Sequence, residues 1–305
     1  MQYARKYGIF RNPAVTREIA SLDAERDCQR IVHLLSVYEF NFDLKRAGEL
    51  ALFYSYASDS VSRLLDRTGE FEHRGQLRYD DTQILIGAFI ESGWDGDFGR
   101  RAIERMNAIH GRFRISNDDF VFVLWTLIHV PIRWVNHYAH RPFTEHEERA
   151  WFNFWRGVGE RMGMTGLPYS KAELDVWISE YEKKHVVYNE ASARVAQATV
   201  RILENWLPEW LRFAVQPAAA ALLEPRARIA FGYKEPHPAL TRSITAVIKL
   251  HALVSRYVPV TAYPNLLADL RTRSYGKVAA PIEQLGGQTE VQKRAAHNNK
   301  LRAVT

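Results

Sequence analysis

The chain contains very little cysteine and no long apolar run. Cys28 is the only cysteine among the 305 residues, which excludes an internal disulfide and a cysteine-rich metal site and fits a reducing compartment. The N-terminus, Met1 to Tyr7, lacks the apolar stretch of a signal peptide. The most apolar segment, 120–132, is shorter than the ~20 residues that cross a membrane. We therefore expect a cytoplasmic protein with no integral membrane span.

The sequence also lacks the motifs of several enzyme classes. No G-x-G-x-x-G, P-loop, G-x-S-x-G or H-E-x-x-H pattern occurs, so neither nucleotide binding, nor a serine-hydrolase elbow, nor a helical zinc-protease site is indicated. The 11 histidines are scattered without zinc spacing. A carboxylate-bridged di-iron site needs two Glu-x-x-His motifs, and only Glu182-Lys-Lys-His185 is suitably placed.

The net charge of +6 and the pI near 9.3 do not by themselves predict a nucleic-acid partner. The 41 Lys and Arg residues are dispersed among 35 acidic residues and form no long basic block. No nucleic-acid-binding motif accompanies the charge. We therefore expect no nucleic-acid partner, and the sequence leaves the oligomeric state open.

Helical periodicity is abundant, and strand patterns are missing. Apolar residues make up 47% of the chain, and its 8 Trp, 14 Tyr and 15 Phe suit either a bulky core or a wide apolar pocket. No alternating β-branched run, hairpin signal or repeat is found. The prediction is an all-α, single-domain helical bundle. We expect an N-terminal arm at 1–20, a helical domain at 21–262, and a C-terminal extension at 263–305 that is disordered at its end.

Short polar side chains before apolar-periodic runs predict several helix starts; they are Asp43, Asp80, either Ser116 or Asn117, Thr144 and Ser170. Asp80 is predicted to begin a helix that runs to Ser92, after a polar connection at 70–77. A helix from Asp97 to His110 follows. Further along, a continuous helix is predicted at 172–207.

The stretch from Gly75 to Arg141 contains three predicted helices with polar groups on apolar faces. A buried polar group costs free energy unless something satisfies it. His110 ends the second helix on its apolar face. It is either a core histidine bonded to a backbone carbonyl or the single proximal ligand of a haem, which needs no second motif. His129, which faces Trp125 and Arg133, has the same two interpretations.

Segments spread over residues 20–260 carry a family resemblance. They are Y-E-F-N-F-D, L-A-L-F, R-Y-D-D-T, E-R-M-N-A-I-H-G-R-F-R-I-S-N-D-D-F, P-I-R-W, H-R-P-F-T-E-H-E, F-W-R-G-V-G-E-R-M-G-M and Y-E-K-K-H-V-V-Y. Together they resemble the MpaB/rubber-oxygenase family, which includes the latex-clearing proteins. The part at 105–120 is the most specific.

The resemblance implies a haem b in an all-helical fold with a globin-related core. It also implies oxidative cleavage of isoprenoid carbon–carbon double bonds with dioxygen. The family's proximal iron ligand falls on His110. Its distal Arg-x-x-Lys-Thr pattern aligns with Arg78, Asp81 and Thr82, so an aspartate stands where the family has a lysine.

The exchange of lysine for aspartate predicts different distal chemistry. A carboxyl group donates a hydrogen bond only when protonated, and burial raises its pKa toward that form. We therefore predict an acid/base or water-organising role for Asp81 rather than iron ligation. Arg78 is expected to pair with Asp81 or with a haem propionate, and Thr82 to orient a distal water. The alternative is that Asp81 only extends the cap of its helix.

Arg133 and Arg141 are further candidates for the cofactor site. Either guanidinium can bind a propionate with two parallel hydrogen bonds. Either can equally form an ion pair at the surface or between helices. With His110 and His129, they complete the set of candidate cofactor-binding residues.

Three functions remain open at this stage. The first is a haem-dependent oxygenase that acts on an apolar, isoprenoid or lipid-like small molecule with dioxygen. The second is a haem-binding protein without oxygenase activity, either a sensor or a peroxidase-like protein. The third is a metal-free helical carrier of apolar ligands.

Overall fold

The computed structural model describes residues 13–257, 272–276 and 281–286, and this part of the chain is built from helices. No strand occurs in it, apart from an isolated bridge between Thr272 and Gly276. The all-α prediction is therefore confirmed. The helices are α1 Pro13–Ser21, α2 Cys28–Leu34, α3 Asn41–Ser55, α4 Asp59–Thr68, α5 Glu70–Ser92, α6 Asp97–His110, α7 Asn117–Tyr138, α8 Glu145–Arg161, α9 Lys171–His185, α10 Glu190–Glu204, α11 Glu209–Arg212, α12 Val215–Leu222, α13 Pro225–Ala230 and α14 Pro238–Tyr257. A π-helical turn, Leu35–Glu39, follows α2, and a 3₁₀ turn spans Ile282–Gln284.

Helix α7 is the centre of the core. Its residues are apolar almost all round, and Phe122, Ile128 and Val135 are fully enclosed. It packs mainly on α3, and also on α8 and α9. An all-apolar helix surface must be covered on every side, which explains why α3, α8, α9 and α14 pack around it.

Several predicted helix starts are confirmed by hydrogen bonds. The Ser116 side chain accepts from the amide of Asp119, and Ser170 accepts from the amide of Glu173. Thr144 and Glu147 form a complete capping box at the start of α8. Each such cap contributes about 1 kcal/mol to stability.

The predicted starts at Asp43 and Asp80 are wrong. Helix α3 begins at Asn41, and Asp43 lies inside it, where its Oδ1 accepts from Trp134 Nε1 at 3.2 Å. Helix α5 begins at Glu70 and continues through a kink at Arg74, whose φ of −141° is not helical. The predicted polar connection at 70–77 is therefore helical. Asp80 lies in the interior of α5, and its carboxylate accepts hydrogen bonds from Gln76, one turn earlier, and from the distant amide of Ser274.

The helix predicted at 172–207 is two helices. The chain leaves the helical conformation after His185, and Asn189 starts α10 by accepting a hydrogen bond from the amide of Ser192 at 2.9 Å. Only the capping geometry of Asn189 marks the boundary.

Parts of both predicted extensions pack against the helical domain. Val15 and Ile19 of α1 are buried, although 1–20 was predicted as an arm. Ile282 and Leu285, within the predicted extension 263–305, are buried beside α6. The predicted disorder at the end of that extension lies outside the described residues. No helix in the described part of the chain is long and apolar enough to cross a membrane.

Candidate functional site

A cavity of about 930 Å³ lies between α3, α5, α7, α10 and α12. Its walls are mostly aliphatic and aromatic, and they include Phe53, Trp134, Trp151, Trp155, Ile202 and Trp206. The volume is at the upper end of the range for sites that bind small molecules, roughly 300–1,000 Å³. The heavy aromatic content of the sequence thus forms both the core and the wall of a wide apolar pocket.

Two of the predicted distal residues, Arg78 and Thr82, line this cavity. They are four residues apart and so lie on one face of α5. Thr82 Oγ1 donates to the carbonyl of Arg78 at 2.9 Å. The guanidinium of Arg78 forms no hydrogen bond or ion pair with any residue that the structure describes. It therefore presents free donors beside the cavity.

His110 lies at the end of α6, and its ring contacts Phe120 edge-on with the centroids 5.3 Å apart. Its Nδ1 atom is enclosed and has no hydrogen-bond partner, so no backbone carbonyl satisfies this nitrogen. Burial, and to a smaller extent the charge of Arg78, lower the pKa of His110 from 6.5 to about 4. The imidazole is therefore neutral at pH 7, which is the form that ligates a metal ion. His110 itself does not line the cavity, and His129, His140 and His146 also have an enclosed ring nitrogen without a partner.

Asp81 does not line the cavity, unlike its neighbours Arg78 and Thr82. It is only 2% exposed. Its Oδ1 accepts from the hydroxyl of Tyr275 at 2.6 Å, and its Oδ2 accepts from the amide of Gly286 at 2.8 Å. The predicted pair between Arg78 and Asp81 is not formed. The alternative that Asp81 extends a helix cap is also wrong, because Asp81 lies in the interior of α5.

A C-terminal strap, defined as residues 272–276 and 281–286, covers the side of α5 that carries Asp80 and Asp81, and the adjacent side of α6. Asp80 Oδ2 accepts from the amide of Ser274 at 2.8 Å. Arg105 Nε donates to the carbonyl of Leu285 at 2.7 Å. Gly286 has a φ of +77°, and a Cβ atom there would lie 2.0 Å from Ile109 Cδ1. The strap therefore packs directly against the end of α6 that carries His110, and no sequence pattern predicts this contact.

His129 and Arg133 also fall outside the cavity lining. His129 Nε2 lies 3.0 Å from Glu224 Oε1, and Arg133 donates to the same oxygen at 3.1 Å. The ring of His129 stacks on Trp125 with the centroids 4.4 Å apart. The structure thus gives Arg133 the ion pair that was the alternative to propionate binding. His129 has a side-chain partner, Glu224, instead of the backbone carbonyl expected for a core histidine.

Arg141 is bound to carboxylates of the protein itself. Its two terminal nitrogens donate to the two carboxylate oxygens of Glu147 at 2.7 and 2.8 Å, and its Nε donates to Glu39 at 3.0 Å. The guanidinium lies over the ring of Phe40, 4.8 Å from its centroid. All three guanidinium nitrogens donate to these two carboxylates, and they thereby link the π-helical turn to the start of α8. This geometry does not support a role in cofactor binding.

A polar cluster on the cavity wall was not predicted. Glu49 of α3 accepts hydrogen bonds from Arg46 at 2.7 Å, from Gln83 at 3.3 Å and from the hydroxyl of Tyr79. All four residues line the cavity, as does Lys45. Burial raises the pKa of Glu49 above its usual value. The only signal in the sequence was the pattern Lys45-Arg46-x-x-Glu49, which resembles a solvated helix face.

The ligands of a di-iron site are not assembled. Glu182 accepts from the hydroxyl of Tyr54, whereas His185 Nδ1 contacts Asp59 Oδ1 at 3.1 Å. Within the described ranges no group of three or more His, Cys, Asp or Glu side chains could hold a metal ion. A haem requires only one ligand from the protein, so the absence of a larger ligand group does not bear on His110.

Comparison with known proteins identifies what this architecture is similar to. Residues 66–256 match the family model described as ER-bound oxygenase mpaB/B'/rubber oxygenase, catalytic domain. The chain is 26% identical to the ER-bound oxygenase mpaB' of Penicillium brevicompactum over 80% of its own length and 62% of the relative. It is 27% identical to the ER-bound oxygenase mpaB of Penicillium roqueforti over 72% of its own length and 80% of the relative. The chain therefore spans about three fifths of the length of the first relative, and four fifths of that of the second.

Proposed function

The chain belongs to the family of ER-bound oxygenase mpaB/B' and rubber-oxygenase catalytic domains, and on that premise we propose that it is a haem-b-dependent oxygenase. The proposed reaction is oxidative cleavage of a carbon–carbon double bond in an apolar, isoprenoid or lipid-like substrate with dioxygen. One observation carries the proposal. The enclosed Nδ1 of His110, the residue on which the family's iron ligand falls, has no partner.

The side chains of His110 and Arg78 fit a haem by their chemistry. A neutral imidazole with a free nitrogen suits an iron ion, and an unpaired guanidinium suits a propionate. In this proposal His110 holds the iron and Arg78 binds a carboxylate at the cavity wall. When bound, haem supplies an iron centre that activates dioxygen.

The remaining residues are proposed to organise the reaction rather than to transform the substrate. The hydroxyl proton of Thr82 is engaged with the carbonyl of Arg78, so its oxygen is left to accept a hydrogen bond and orient a water molecule. The aromatic wall around Trp151 and Trp155 excludes bulk water from an apolar chain. Asp81 is proposed to act by position, because it holds the strap against α5 and does not reach the cavity.

The absorption spectrum of the purified protein tests this proposal. Expression with added haem precursor should give a protein with a Soret band. His110→Ala should abolish the band, because the iron loses its protein ligand. His129→Ala is the matched control: this histidine also has an enclosed, unpartnered Nδ1, but its ring is held by Glu224 and Trp125. A colourless wild-type protein, or a full Soret band in His110→Ala, would contradict the assignment.

A haem-binding protein without oxygenase activity is the second candidate. The observation that favours it is Asp81, which stands where the family resemblance expects a lysine and whose carboxylate is committed to the strap. Oxygen consumption by the haem-loaded protein with a polyprenyl substrate separates the two candidates. Consumption that depends on the substrate supports the oxygenase. A Soret band without such consumption supports the second candidate.

A further inference from the structure

A polar strip runs along the cavity side of α3 and onto the π-helical turn that precedes it. We define it as Ser36, Asn41, Lys45 and Glu49, all of which line the cavity. The three residues on α3 are four apart, so they lie on one face of the helix. Asn41 Nδ2 donates to the carbonyl of Ser36 at 3.1 Å, which links the turn to the helix.

Two donors of the polar strip have no acceptor in the described part of the chain. Ser36 is 6% exposed, and its Oγ has no hydrogen-bond partner. The ammonium group of Lys45 forms no hydrogen bond or ion pair with a described residue. Burial is the main cause that lowers the pKa of Lys45, and the charge of Arg46 lowers it further. Ser36 Oγ is enclosed, and an enclosed donor without an acceptor is costly. Lys45 is an exposed residue that lines the same cavity, so both donors are available to an acceptor that enters it.

Lys45 is the one charged residue of the polar strip that has no direct partner among the residues the structure describes. Arg46 and Glu49 form an ion pair of 2.7 Å. Asp80, whose charge also reaches Lys45, has its carboxylate engaged with Gln76 and with the amide of Ser274. A carboxylate matches the single charge of Lys45, whereas a diphosphate brings more negative charge than one ammonium group balances.

We propose that the polar strip binds the terminal carboxylate of an apolar-chain substrate. Lys45 Nζ supplies the charge and Ser36 Oγ a hydrogen bond, while the chain lies along the aromatic wall of the cavity. In naming a substrate class this inference rests on the proposed function, but the binding itself does not require haem.

Calorimetric titration of the full chain with three C15 isoprenoids tests the proposal. The probes are farnesoic acid, its methyl ester and farnesyl diphosphate, each added to haem-free and to haem-supplemented protein. Farnesoic acid should bind about tenfold more tightly than the ester, since a charge-assisted hydrogen bond contributes a factor of that size. The diphosphate should bind no more tightly than the acid. Lys45→Met should remove the preference for the acid. Lys183→Met, the matched control at an exposed lysine paired with Glu180, should keep it.

Ser36→Ala separates binding from stability. Loss of the hydroxyl should weaken farnesoic acid binding by about threefold and leave binding of the ester unchanged. Thermal unfolding should occur at the same or a higher temperature, because the hydroxyl has no partner in the protein. A purely structural role would instead lower the unfolding temperature and change the binding of both probes alike.

Other outcomes overturn the inference, and they are distinguishable from failure of the proposed function. Equal affinities for acid and ester in the wild-type protein would overturn it. So would a Lys45→Met protein that loses haem but keeps the preference, because the lysine would then serve a haem propionate. A colourless protein that still prefers the acid supports the polar strip and contradicts only the haem assignment.

Discussion

The charged side chains on the two sides of helix α5 differ in whether the protein supplies their partners. On the cavity side the guanidinium of Arg78 has no partner among the described residues. On the strap side Asp80 and Asp81 are almost completely buried, and both carboxylates are fully engaged by residues of the strap and by Gln76. These residues are neighbours in one sequence motif. They differ in the side of the helix from which their side chains project.

This difference indicates which polar residues serve the architecture and which serve a ligand. A buried group that is satisfied within the chain stabilises one arrangement of the backbone. A buried group left without a partner costs stability unless a ligand satisfies it. By this criterion Asp81 and Arg141 belong to the architecture. His129 is an intermediate case, since Glu224 engages one ring nitrogen and the other has no partner. We propose that Arg78, His110 and Lys45 belong to the site.

The largest effect is expected from removing the carboxylate on the strap side. Asp81→Ala should lower the free energy of unfolding by about 3 kcal/mol, because the Tyr275 hydroxyl and the Gly286 amide would both lose their acceptor. Urea denaturation measures this loss. Asp118→Ala, the control at an exposed aspartate in the first turn of α7, should cost under about 1 kcal/mol. Equal losses in the two variants would contradict the anchoring role of Asp81.

A smaller loss is expected from Gly286→Ala, which tests the contact of the strap with α6. The new Cβ would lie 2.0 Å from Ile109 Cδ1, and the φ of +77° disfavours any L side chain. The two costs together should lower the free energy of unfolding by about 2 kcal/mol. Gly276→Ala is the control, because its φ of +66° is similar but nothing lies within 4 Å of the new Cβ. It should cost about 1 kcal/mol. A strap that does not press on α6 would make the two variants alike.

Much of the fold could be predicted from the sequence because its signals are local. The bounds of α6, Asp97–His110, and the caps at Ser116, Thr144 and Ser170 follow from residues within one helical turn of each other. The start of α5 could not be predicted, because Asp80 has the appearance of a cap but is satisfied by Ser274, 194 residues away. The break before Asn189 was missed for a different reason. Its cap is local, but it lies inside a segment that was predicted as one continuous helix.

The candidate site was predictable only in part. The family motif pointed to His110, Arg78 and Thr82, and the structure leaves the polar groups of the first two unpaired. The environment of Asp81 depends on contacts 194 and 205 residues away, which no motif contains. Lys45 was missed because a lysine on a helix is normally solvated. Its facing a cavity follows from the packing of α10 and α12 opposite α3.

The smallest effect on stability is expected on the cavity side of α5. Arg78→Met should change the free energy of unfolding by no more than about 0.5 kcal/mol, because the guanidinium has no protein partner to lose and methionine keeps much of the apolar contact. The same variant should bind haem several-fold more weakly, as judged by the Soret absorbance per protein during titration. Urea denaturation and haem titration of one preparation therefore distinguish the two variants. Arg78→Met should lose haem affinity while its free energy of unfolding is nearly unchanged, and Asp81→Ala should mainly lose free energy of unfolding. If Arg78→Met destabilised the protein as much as Asp81→Ala, Arg78 would have a stabilising partner in the folded protein, and its assignment to the site would fail.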